Sequence, residues 1–352
     1  MSPYPPSSAW SWVDADAPGV WRYAARVGVE VPGPQRLHLG EGGTPLRPLS
    51  DAILALREDL SPNGSHKDRS LVVQVSAWAA RGARTLVLSS SGNAAIAAAA
   101  ACRVAGLRLV ALVSPLTPPA KVAAIARWGA AIVRSDRAPG LCRELSLALG
   151  APDIRPSVDD LALAGYRTLT FELAERQVPC DAVFVYSTSG STLCGMAEGQ
   201  RALRDAGFKG VLPTLHAAQA GGGARLAAAF GYTPPAAPQD RSVVRDLGAK
   251  HSRRHGDTVR AIRGSGGAAW HATDGAILAA REWLLDRGVH AGLESACAVA
   301  CALRAVDAGA VRHPLVLLSG HYGHEDSEAP EVIAADTVAE ALPALGRAGV
   351  LR

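Results

Sequence analysis

The fold of this chain is decided by residues 61–69, Ser61-Pro62-Asn63-Gly64-Ser65-His66-Lys67-Asp68-Arg69. A turn rich in Pro, Asn and Gly precedes Lys67, and the apolar residues 71–80 that follow have a helical pattern. Lys67 therefore stands at a predicted helix start, where the helix dipole disfavours a positive charge. The adjacent carboxylate of Asp68 acts in the opposite direction. An amine held in this way is suited to attack a carbonyl carbon.

The alternative is an ordinary solvated lysine. The chain has 36 Lys and Arg residues, and its lysines are Lys67, Lys121, Lys209 and Lys250. Since arginine carries nearly all of the other positive charge, a lysine in a structured turn indicates that an amine is needed there.

Composition and charge exclude several kinds of partner. Of 352 residues, 48% are hydrophobic and 19% charged, and the net charge is +4 with scattered arginines. We therefore expect no nucleic-acid partner and no membrane surface. The most apolar stretch, residues 94–101, is too short to span a bilayer, and no signal peptide is evident at the N-terminus. A cytoplasmic protein is predicted.

The cysteine and histidine patterns predict no metal site. None of the cysteines forms a C-x-x-C pair, and Cys297 and Cys301, four residues apart, are expected to be buried free thiols. His321-x-x-His324 is followed directly by acidic residues. We interpret this pair as the polar rim of a site rather than as metal ligands.

Strand-like and helical patterns alternate along most of the chain. This rhythm predicts an α/β fold of two doubly wound domains with mostly parallel sheets. The larger domain is predicted to comprise residues 1–69 and 160–352, and the smaller one residues 70–159. The strands are predicted at residues 84–88, 107–113, 131–133, 182–186, 213–217 and 314–318, and the helices at 93–105, 120–128, 192–206, 274–287 and 295–308.

Residues 231–267 show little periodicity and are rich in Pro, Gly, Arg and His. We expect loops over the sheet edge there. The arginines in this segment are either a cationic wall for an acidic or phosphorylated substrate or an ordinary solvated loop. They are Arg253, Arg254, Arg260 and Arg263.

Three loops of small polar residues follow predicted strands, where parallel sheets bind their ligands. They are Ser89-Ser90-Ser91-Gly92-Asn93, Ser187-Thr188-Ser189-Gly190-Ser191-Thr192 and Ser319-Gly320-His321-Tyr322-Gly323. The second loop opens a helix and can cradle a phosphate. Each loop by itself is more typical of a helix N-cap than of a binding site. Together with a lysine able to form a Schiff base, they describe a pyridoxal phosphate site. The Walker lysine motif and G-x-G-x-x-G are absent, which disfavours a nucleotide.

The ordered motifs resemble those of threonine synthase and its relatives, the pyridoxal phosphate enzymes of fold type II, with the tryptophan synthase β-subunit fold. The resemblance runs from about Gly40 to about His321. The motifs that carry it are Gly40-Glu41-Gly42-Gly43-Thr44-Pro45-Leu46, Asn63 to Arg69, Ser90-Ser91-Gly92-Asn93, Gly288-Val289-His290-Ala291-Gly292-Leu293-Glu294-Ser295-Ala296 and Leu318-Ser319-Gly320-His321.

The resemblance implies a role for each matching residue. Lys67 would hold pyridoxal 5'-phosphate as a Schiff base and move protons, and Asn93 would contact the ring hydroxyl. Ser90, Ser91 and Gly92 would bind the substrate carboxylate. The cofactor phosphate would lie on Ser187, Thr188, Ser189, Gly190, Ser191 and Thr192. Ser319 would face the pyridine nitrogen, where a neutral hydroxyl favours elimination and replacement over transamination.

Two of the three places where the chain departs from the family pattern concern predicted site residues. His66 replaces the usual Phe before the lysine, so it is either a further contact to substrate beside the cofactor or an aromatic substitute that packs. The phosphate loop is rich in hydroxyls where the family has glycines or an amide, which weakens an assignment to threonine synthase proper.

These features predict an enzyme that eliminates a leaving group from an amino acid and then adds water or another nucleophile. The sharpest version is the conversion of O-phosphohomoserine to threonine and phosphate. A threonine or serine dehydratase, a β-replacement synthase and an enzyme of a specialised amino-acid pathway remain open, as does a non-catalytic binding module on this fold. By analogy with the family we expect a homodimer.

Overall fold

The computed structural model describes residues 10–90, 92–221, 224–233, 242–244, 252–321, 330 and 332–350. The chain divides into two compact units. Unit 1 contains residues 1–27, 41–66 and 166–322, and unit 2 contains residues 28–40, 67–165 and 323–352. The chain therefore passes from unit 1 to unit 2 at the peptide bond between His66 and Lys67.

Unit 1 is built on a six-stranded sheet with the order β1-β2-β9-β6-β7-β8, parallel except for the β1–β2 pair. Helix α10 packs on β6, β7 and β9, and α9 packs on α10. The strands are β1 (Leu46–Pro48), β2 (Leu54–Leu56), β6 (Ala182–Tyr186), β7 (Thr214–Ala220), β8 (Ala269–Ala272) and β9 (Pro314–Leu317). The helices are α6 (Ser191–Asp205), α7 (Arg225–Ala229), α8 (His255–Gly264), α9 (Asp274–Leu285) and α10 (Leu293–Asp307).

Unit 2 is built on a parallel four-stranded sheet with the order β10-β5-β4-β3. Its strands are β3 (Thr85–Ser89), β4 (Arg108–Val113), β5 (Ala131–Arg134) and β10 (Ile333–Ala334). Its helices are α1 (Lys67–Ala80), α2 (Asn93–Ala105), α3 (Pro119–Ala126), α4 (Ala138–Leu149) and α11 (Val338–Arg347), and α5 (Leu161–Glu175) begins in this unit.

Alternate residues of the unit 2 strands face two separate cores, as a sheet covered on both sides requires. Leu86 and Leu88 lie in the core formed with α1, α2 and α3. Val87, between them, lies in the core formed with α4 and α11. This alternation explains why the strands are apolar at successive positions instead of every second one.

The predicted fold class is confirmed, and the strands predicted from the sequence correspond to β3 to β7 and β9. The predicted helix 93–105 coincides with α2. We expected loops across residues 231–267. This expectation is wrong for the second half of the segment, where the chain forms helix α8. Thr258 and Ile262 are the buried residues of α8. Two residues are too few to produce a visible apolar period.

The C-terminal segment is arranged differently from the sequence-based division into domains. That division assigned every residue after 160 to the larger domain. In the structure, β10 pairs with β5 in the sheet of unit 2, and Ala341 and Leu345 of α11 are buried in the same unit. Among the described residues, no helix is long and apolar enough to cross a membrane.

Helices α1 and α5 approach most closely at a glycine. A Cβ atom added to Gly165 would lie 2.2 Å from the carbonyl oxygen of Arg69 and 2.6 Å from the Cα of Ser70. Both contacts are with backbone just after Lys67, which cannot move aside as a flexible side chain can. Gly165 therefore determines how closely α5 packs on the first turn of α1.

We predict that Gly165→Ala lowers the free energy of unfolding by about 3 kcal/mol, because the added methyl group overlaps backbone atoms. The measurement is urea unfolding followed by circular dichroism. Gly275→Ala is the matched control, since its Cβ would meet nothing within 4 Å on the exposed side of α9. The control is expected to be neutral or stabilising by up to about 1 kcal/mol. Equal effects of the two changes would contradict this account of the packing.

Candidate functional site

The backbone just before Lys67 pairs with the loop that contains Ser319. The amide of His66 donates to the Ser319 carbonyl oxygen over 3.3 Å, and the amide of His321 donates to the Gly64 carbonyl oxygen over 2.9 Å. Ser65 and Gly320 form an antiparallel bridge between these two bonds. Residues 64–66 and 319–321 therefore form a short ladder, although about 250 residues separate them in sequence.

A third segment joins this ladder from the motif before α10. The amide of Gly292 donates to the carbonyl oxygen of Gly320 over 2.8 Å, and Ala291 bridges His321. Three of the motifs singled out in the sequence thus meet in unit 1.

The His66 ring is buried, with 5% of the residue exposed. Its Nδ1 lies 2.9 Å from the Ser319 carbonyl oxygen, and its Nε2 lies 3.0 Å from the Thr192 hydroxyl. The ring also packs against Tyr166, with 5.5 Å between the ring centroids. His66 therefore packs as an aromatic residue and also uses both ring nitrogens, a combination that the sequence did not reveal.

The loop between β6 and α6 has the geometry of an anion cradle. Gly190 adopts a left-handed conformation (φ 82°) as the N-cap of the 15-residue helix α6. The next residues, Ser191 and Thr192, begin the helix, so their amide groups have no carbonyl partner within it. The Ser189 and Ser191 hydroxyls lie 3.1 Å apart. The amide groups at a helix N-terminus favour negative charge.

Ser252, which precedes helix α8, and Gln219 of strand β7 both hold this loop. The Ser252 hydroxyl donates to the Ser189 carbonyl oxygen over 2.6 Å. The side-chain amide of Gln219 donates to the Ser187 carbonyl oxygen over 3.0 Å, and its oxygen accepts from Leu226 over 2.9 Å. The loop is therefore held in place by residues that lie outside the predicted phosphate motif.

The residues of the cradle fit a phosphate group. A Cβ atom at Gly190 would lie 1.8 Å from the Thr258 hydroxyl, so this position requires glycine for space as well as for its positive φ. A small pocket, partly open to solvent, adjoins the loop. Among the described residues, its lining contains no Asp or Glu. The lining residues are Thr188, Ser189, Gln219, Arg225, Leu226, Ser252, His255 and Thr258.

The sequence did not identify the part of this lining that comes from outside the loop. Gln219 is next to the last residue of β7, so its place at a strand end was a signal that could have found it. Ser252, His255 and Thr258 belong to the segment in which no helix was expected. Arg225 lies at the start of the short helix α7.

Two of the four predicted arginines of the cationic wall have local partners. Arg260 pairs with Asp257, and Arg263 donates to the Ala229 carbonyl oxygen over 3.1 Å. Arg254 is buried just before α8.

In unit 1, Ser319 lies at the end of β9 and is 7% exposed. Its hydroxyl makes no hydrogen bond to any residue that the structure describes, so it can interact with a ligand. In unit 2, Lys67 is the first residue of α1. This confirms the expectation that Lys67 stands at a helix start.

The predicted substrate loop of unit 2 connects β3 to α2. Gly92 is the N-cap of α2 and Asn93 its first residue, while Ser91 lies outside the described residues. The Ser90 hydroxyl accepts from the amide of Gly92 over 3.3 Å. A Cβ atom at Gly92 would lie 3.7 Å from the Lys121 Nζ, so an ammonium group lies beside this helix start. The loop thus combines a helix N-terminus with a nearby cation, which favours an anionic ligand.

The described residues contain no group of three or more His, Cys, Asp or Glu arranged to hold a metal ion. His324 of the predicted rim lies outside the described part of the chain. Burial raises the pKa of Cys102, Cys142 and Cys180 to about 12, so these thiols stay protonated at neutral pH. All six cysteines are free.

His216 belongs to the framework of unit 1. Its Nδ1 accepts hydrogen bonds from the Trp270 indole over 3.0 Å and from the amide of Ala268 over 3.2 Å. Its Nε2 lies 2.9 Å from the Thr214 hydroxyl, and its ring stacks on Phe184. Burial lowers the pKa of His216 from 6.5 to about 4. The ring is therefore neutral in the folded protein at physiological pH.

We predict that His216 makes the protein less stable as the pH falls from about 6.5 to about 4. In this window the unfolded chain binds a proton that the buried ring does not, whereas above pH 6.5 the full stability is retained. Between pH 7 and pH 4.5 we expect the loss in unfolding free energy to be smaller by about 2 kcal/mol in His216→Gln than in the wild type. Urea titrations at both pH values measure this.

The exposed His290 offers a matched control. His290→Gln is expected to keep the pH dependence of the wild type. If both variants reduce the pH dependence of the unfolding free energy equally, or if neither reduces it, His216 is not the group responsible.

Comparisons with known proteins identify the family of the chain. A family described as pyridoxal-phosphate dependent enzyme matches residues 37–320. A threonine synthase of Methanosarcina acetivorans is 28% identical over 349 residues, covering 93% of this chain and 85% of that protein. The biosynthetic L-threonine dehydratase of Haemophilus influenzae is 29% identical over 154 residues, covering 42% of this chain and 30% of that protein.

Among solved structures, the processed form of threonine deaminase isoform 2 from Solanum lycopersicum is similar, with a TM-score of 0.68 and 18% identity. The match covers 87% of this chain and 90% of that one. At this identity the likeness shows the fold, which is that of the fold type II enzymes. The family match extends from before β1 to the ladder residue Gly320, so it contains the first two loops and the first two residues of the third.

Proposed function

The chain belongs to the pyridoxal-phosphate dependent enzymes, and from this premise we propose that it eliminates a leaving group from an amino acid and then adds water or another nucleophile. The best candidate reaction is the conversion of O-phosphohomoserine to threonine and phosphate. The observation that carries this proposal is the similarity to a threonine synthase across 93% of the chain.

The residues of unit 1 are suited to hold the cofactor, pyridoxal 5'-phosphate, by its two ends. Its phosphate would be bound at the start of α6 by the amides of residues 187–192 and by the hydroxyls before Thr192, where Gly190 allows close approach of the backbone. The Ser319 hydroxyl would face the pyridine nitrogen. A hydroxyl gives up its proton far less readily than a carboxylic acid, so it leaves this nitrogen largely uncharged.

The residues of unit 2 would act on the substrate. Lys67 would hold the cofactor as a Schiff base and, once released by the substrate, accept and return protons at neighbouring carbons. Ser90, Gly92 and Ser91 would bind the substrate carboxylate at the start of α2, and Asn93 would contact the ring hydroxyl. The bound cofactor supplies the conjugated ring that stabilises negative charge at the α-carbon.

A dehydratase acting on threonine or serine is the second candidate. It is supported by the 29% identity to an L-threonine dehydratase over 42% of the chain. The hydroxyl-rich phosphate loop departs from the pattern of threonine synthase, but it is compatible with both candidates because hydroxyls and backbone amides can both bind a phosphate. A β-replacement synthase or an enzyme of a specialised amino-acid pathway uses the same residues in the same roles. The expected homodimer stays a prediction.

We predict that Lys67→Ala abolishes the visible absorbance band of the lysine-bound cofactor and lowers turnover at least about a thousandfold, since the proposed bond to the cofactor is made by the Lys67 amine. The measurement is an absorbance spectrum of purified protein with added pyridoxal 5'-phosphate. Lys209→Ala, which removes an exposed lysine, is expected to keep both the band and the turnover. A band retained in Lys67→Ala would contradict the assigned role.

We predict that the wild-type enzyme releases phosphate from O-phosphohomoserine and forms threonine in equal amounts. Phosphate release and keto-acid formation from threonine are measured side by side on the same preparation. Keto acid without phosphate release would favour the dehydratase. If neither substrate reacts while the cofactor band is present, the specialised-pathway version is favoured.

A further inference from the structure

His66 connects two segments to which the proposed function assigns opposite ends of the cofactor. Its Nδ1 contacts the carbonyl oxygen of Ser319, whose hydroxyl would face the pyridine nitrogen. Its Nε2 contacts the hydroxyl of Thr192, whose amide belongs to the phosphate cradle. All three residues belong to unit 1.

The partners of the ring determine where its protons lie. A carbonyl oxygen can only accept, so the Nδ1 of His66 must carry a proton and donate it to Ser319. In the neutral ring Nε2 then has no proton and accepts from the Thr192 hydroxyl. Donation therefore runs from Thr192 through the His66 ring to Ser319.

This arrangement restrains both anchor points. The Thr192 hydroxyl is held by its bond to the ring, which limits the rotation of that side chain at the first turn of α6. The Ser319 carbonyl oxygen accepts from both the backbone amide and the ring of His66. Because the His66 ring is rigid and planar, it fixes the distance between the Thr192 hydroxyl and the Ser319 carbonyl oxygen.

We propose that His66 is a positioning residue that sets the separation between the phosphate cradle and the group facing the pyridine nitrogen. The proposal rests on the proposed function, which assigns these two groups to the cofactor. It gives His66 a role toward the cofactor site through Thr192 and Ser319, instead of the direct contact with substrate that the sequence suggested. A Phe at this position would pack against Tyr166 equally well and would make neither hydrogen bond.

The test is a double-mutant cycle on cofactor affinity. His66→Phe keeps an aromatic ring but loses both hydrogen bonds, and Thr192→Val keeps the side-chain shape but loses the hydroxyl. Each breaks the hydrogen bond between the His66 ring and the Thr192 hydroxyl, and each is therefore expected to raise the Kd for pyridoxal 5'-phosphate about tenfold. Because the two changes remove the same interaction, the double variant is expected to be about tenfold to thirtyfold weaker than wild type.

Two outcomes of the cycle would overturn the proposal. A double variant about a hundredfold weaker would mean that the two residues act independently. A Kd within about twofold of the wild type in His66→Phe would mean that the hydrogen bonds do not position the anchors. Thr170→Val is the matched control, since it removes a buried hydroxyl that donates to Met196 in the same unit. This control is expected to leave the Kd unchanged.

Conservative variants separate the two bonds of the ring. The amide of Gln reaches about as far as Nε2, and the amide of Asn about as far as Nδ1. His66→Gln is therefore expected to retain the bond to Thr192 and most of the affinity, whereas His66→Asn is expected to resemble His66→Phe. The reverse order would overturn the proposal. Circular dichroism and thermal unfolding identify any variant that has not folded.

A readout without cofactor separates failure of this proposal from failure of the proposed function. In protein labelled with ¹⁵N-histidine, the His66 ring is expected to show a protonated Nδ1 and an unprotonated Nε2, and Thr192→Val is expected to shift the Nε2 signal. The signal is assigned by its disappearance in His66→Phe. If the wild type binds no pyridoxal 5'-phosphate, the proposed function fails, while these signals still decide whether the ring bridges the two segments. A protonated Nε2 with an unprotonated Nδ1 overturns the bridge.

Discussion

The pairing of residues 64–66 with residues 319–321 is the constraint on which the rest of the site depends. It joins two parts of the chain that lie about 250 residues apart. One of its residues, His66, is followed in the sequence by Lys67. Because the His66 ring extends this pairing to Thr192, the start of α6 is tied to the same ladder. The phosphate cradle and Ser319 are thereby connected through hydrogen bonds instead of through loop length alone.

Neutral groups dominate the site in unit 1. The cradle consists of hydroxyls and backbone amides, Ser319 offers a hydroxyl, and the bonded His66 ring donates to a carbonyl oxygen. An anion bound there meets oriented dipoles without carboxylate repulsion, which suits a phosphate. In the proposed function Ser319 faces the pyridine nitrogen, where its neutral hydroxyl would moderate the electron-withdrawing power of the cofactor ring. This second property would favour elimination and replacement over transamination.

Much of the fold could be predicted because it is encoded locally. Strands β4 and β6 are short apolar runs, α2 is an alanine-rich helix that starts at Asn93, and small polar residues separate them. Helix α8 could not be predicted, because its contacts are made by Thr258, Ile262 and the preceding Ser252 against distant partners. Such contacts leave no periodic pattern of apolar residues in the sequence.

The sequence by itself determined the fold class, the lysine at a helix start and the three polar loops, since each depends on neighbours within a few residues. The tertiary structure decided which of these features meet. It brought Gln219 and Thr258 to the phosphate loop and gave both nitrogens of His66 a partner. The reason is that a histidine before a lysine has the same local pattern whether it packs, binds substrate or bridges two loops. Its role follows from which groups the folded chain places within hydrogen-bonding distance of its ring.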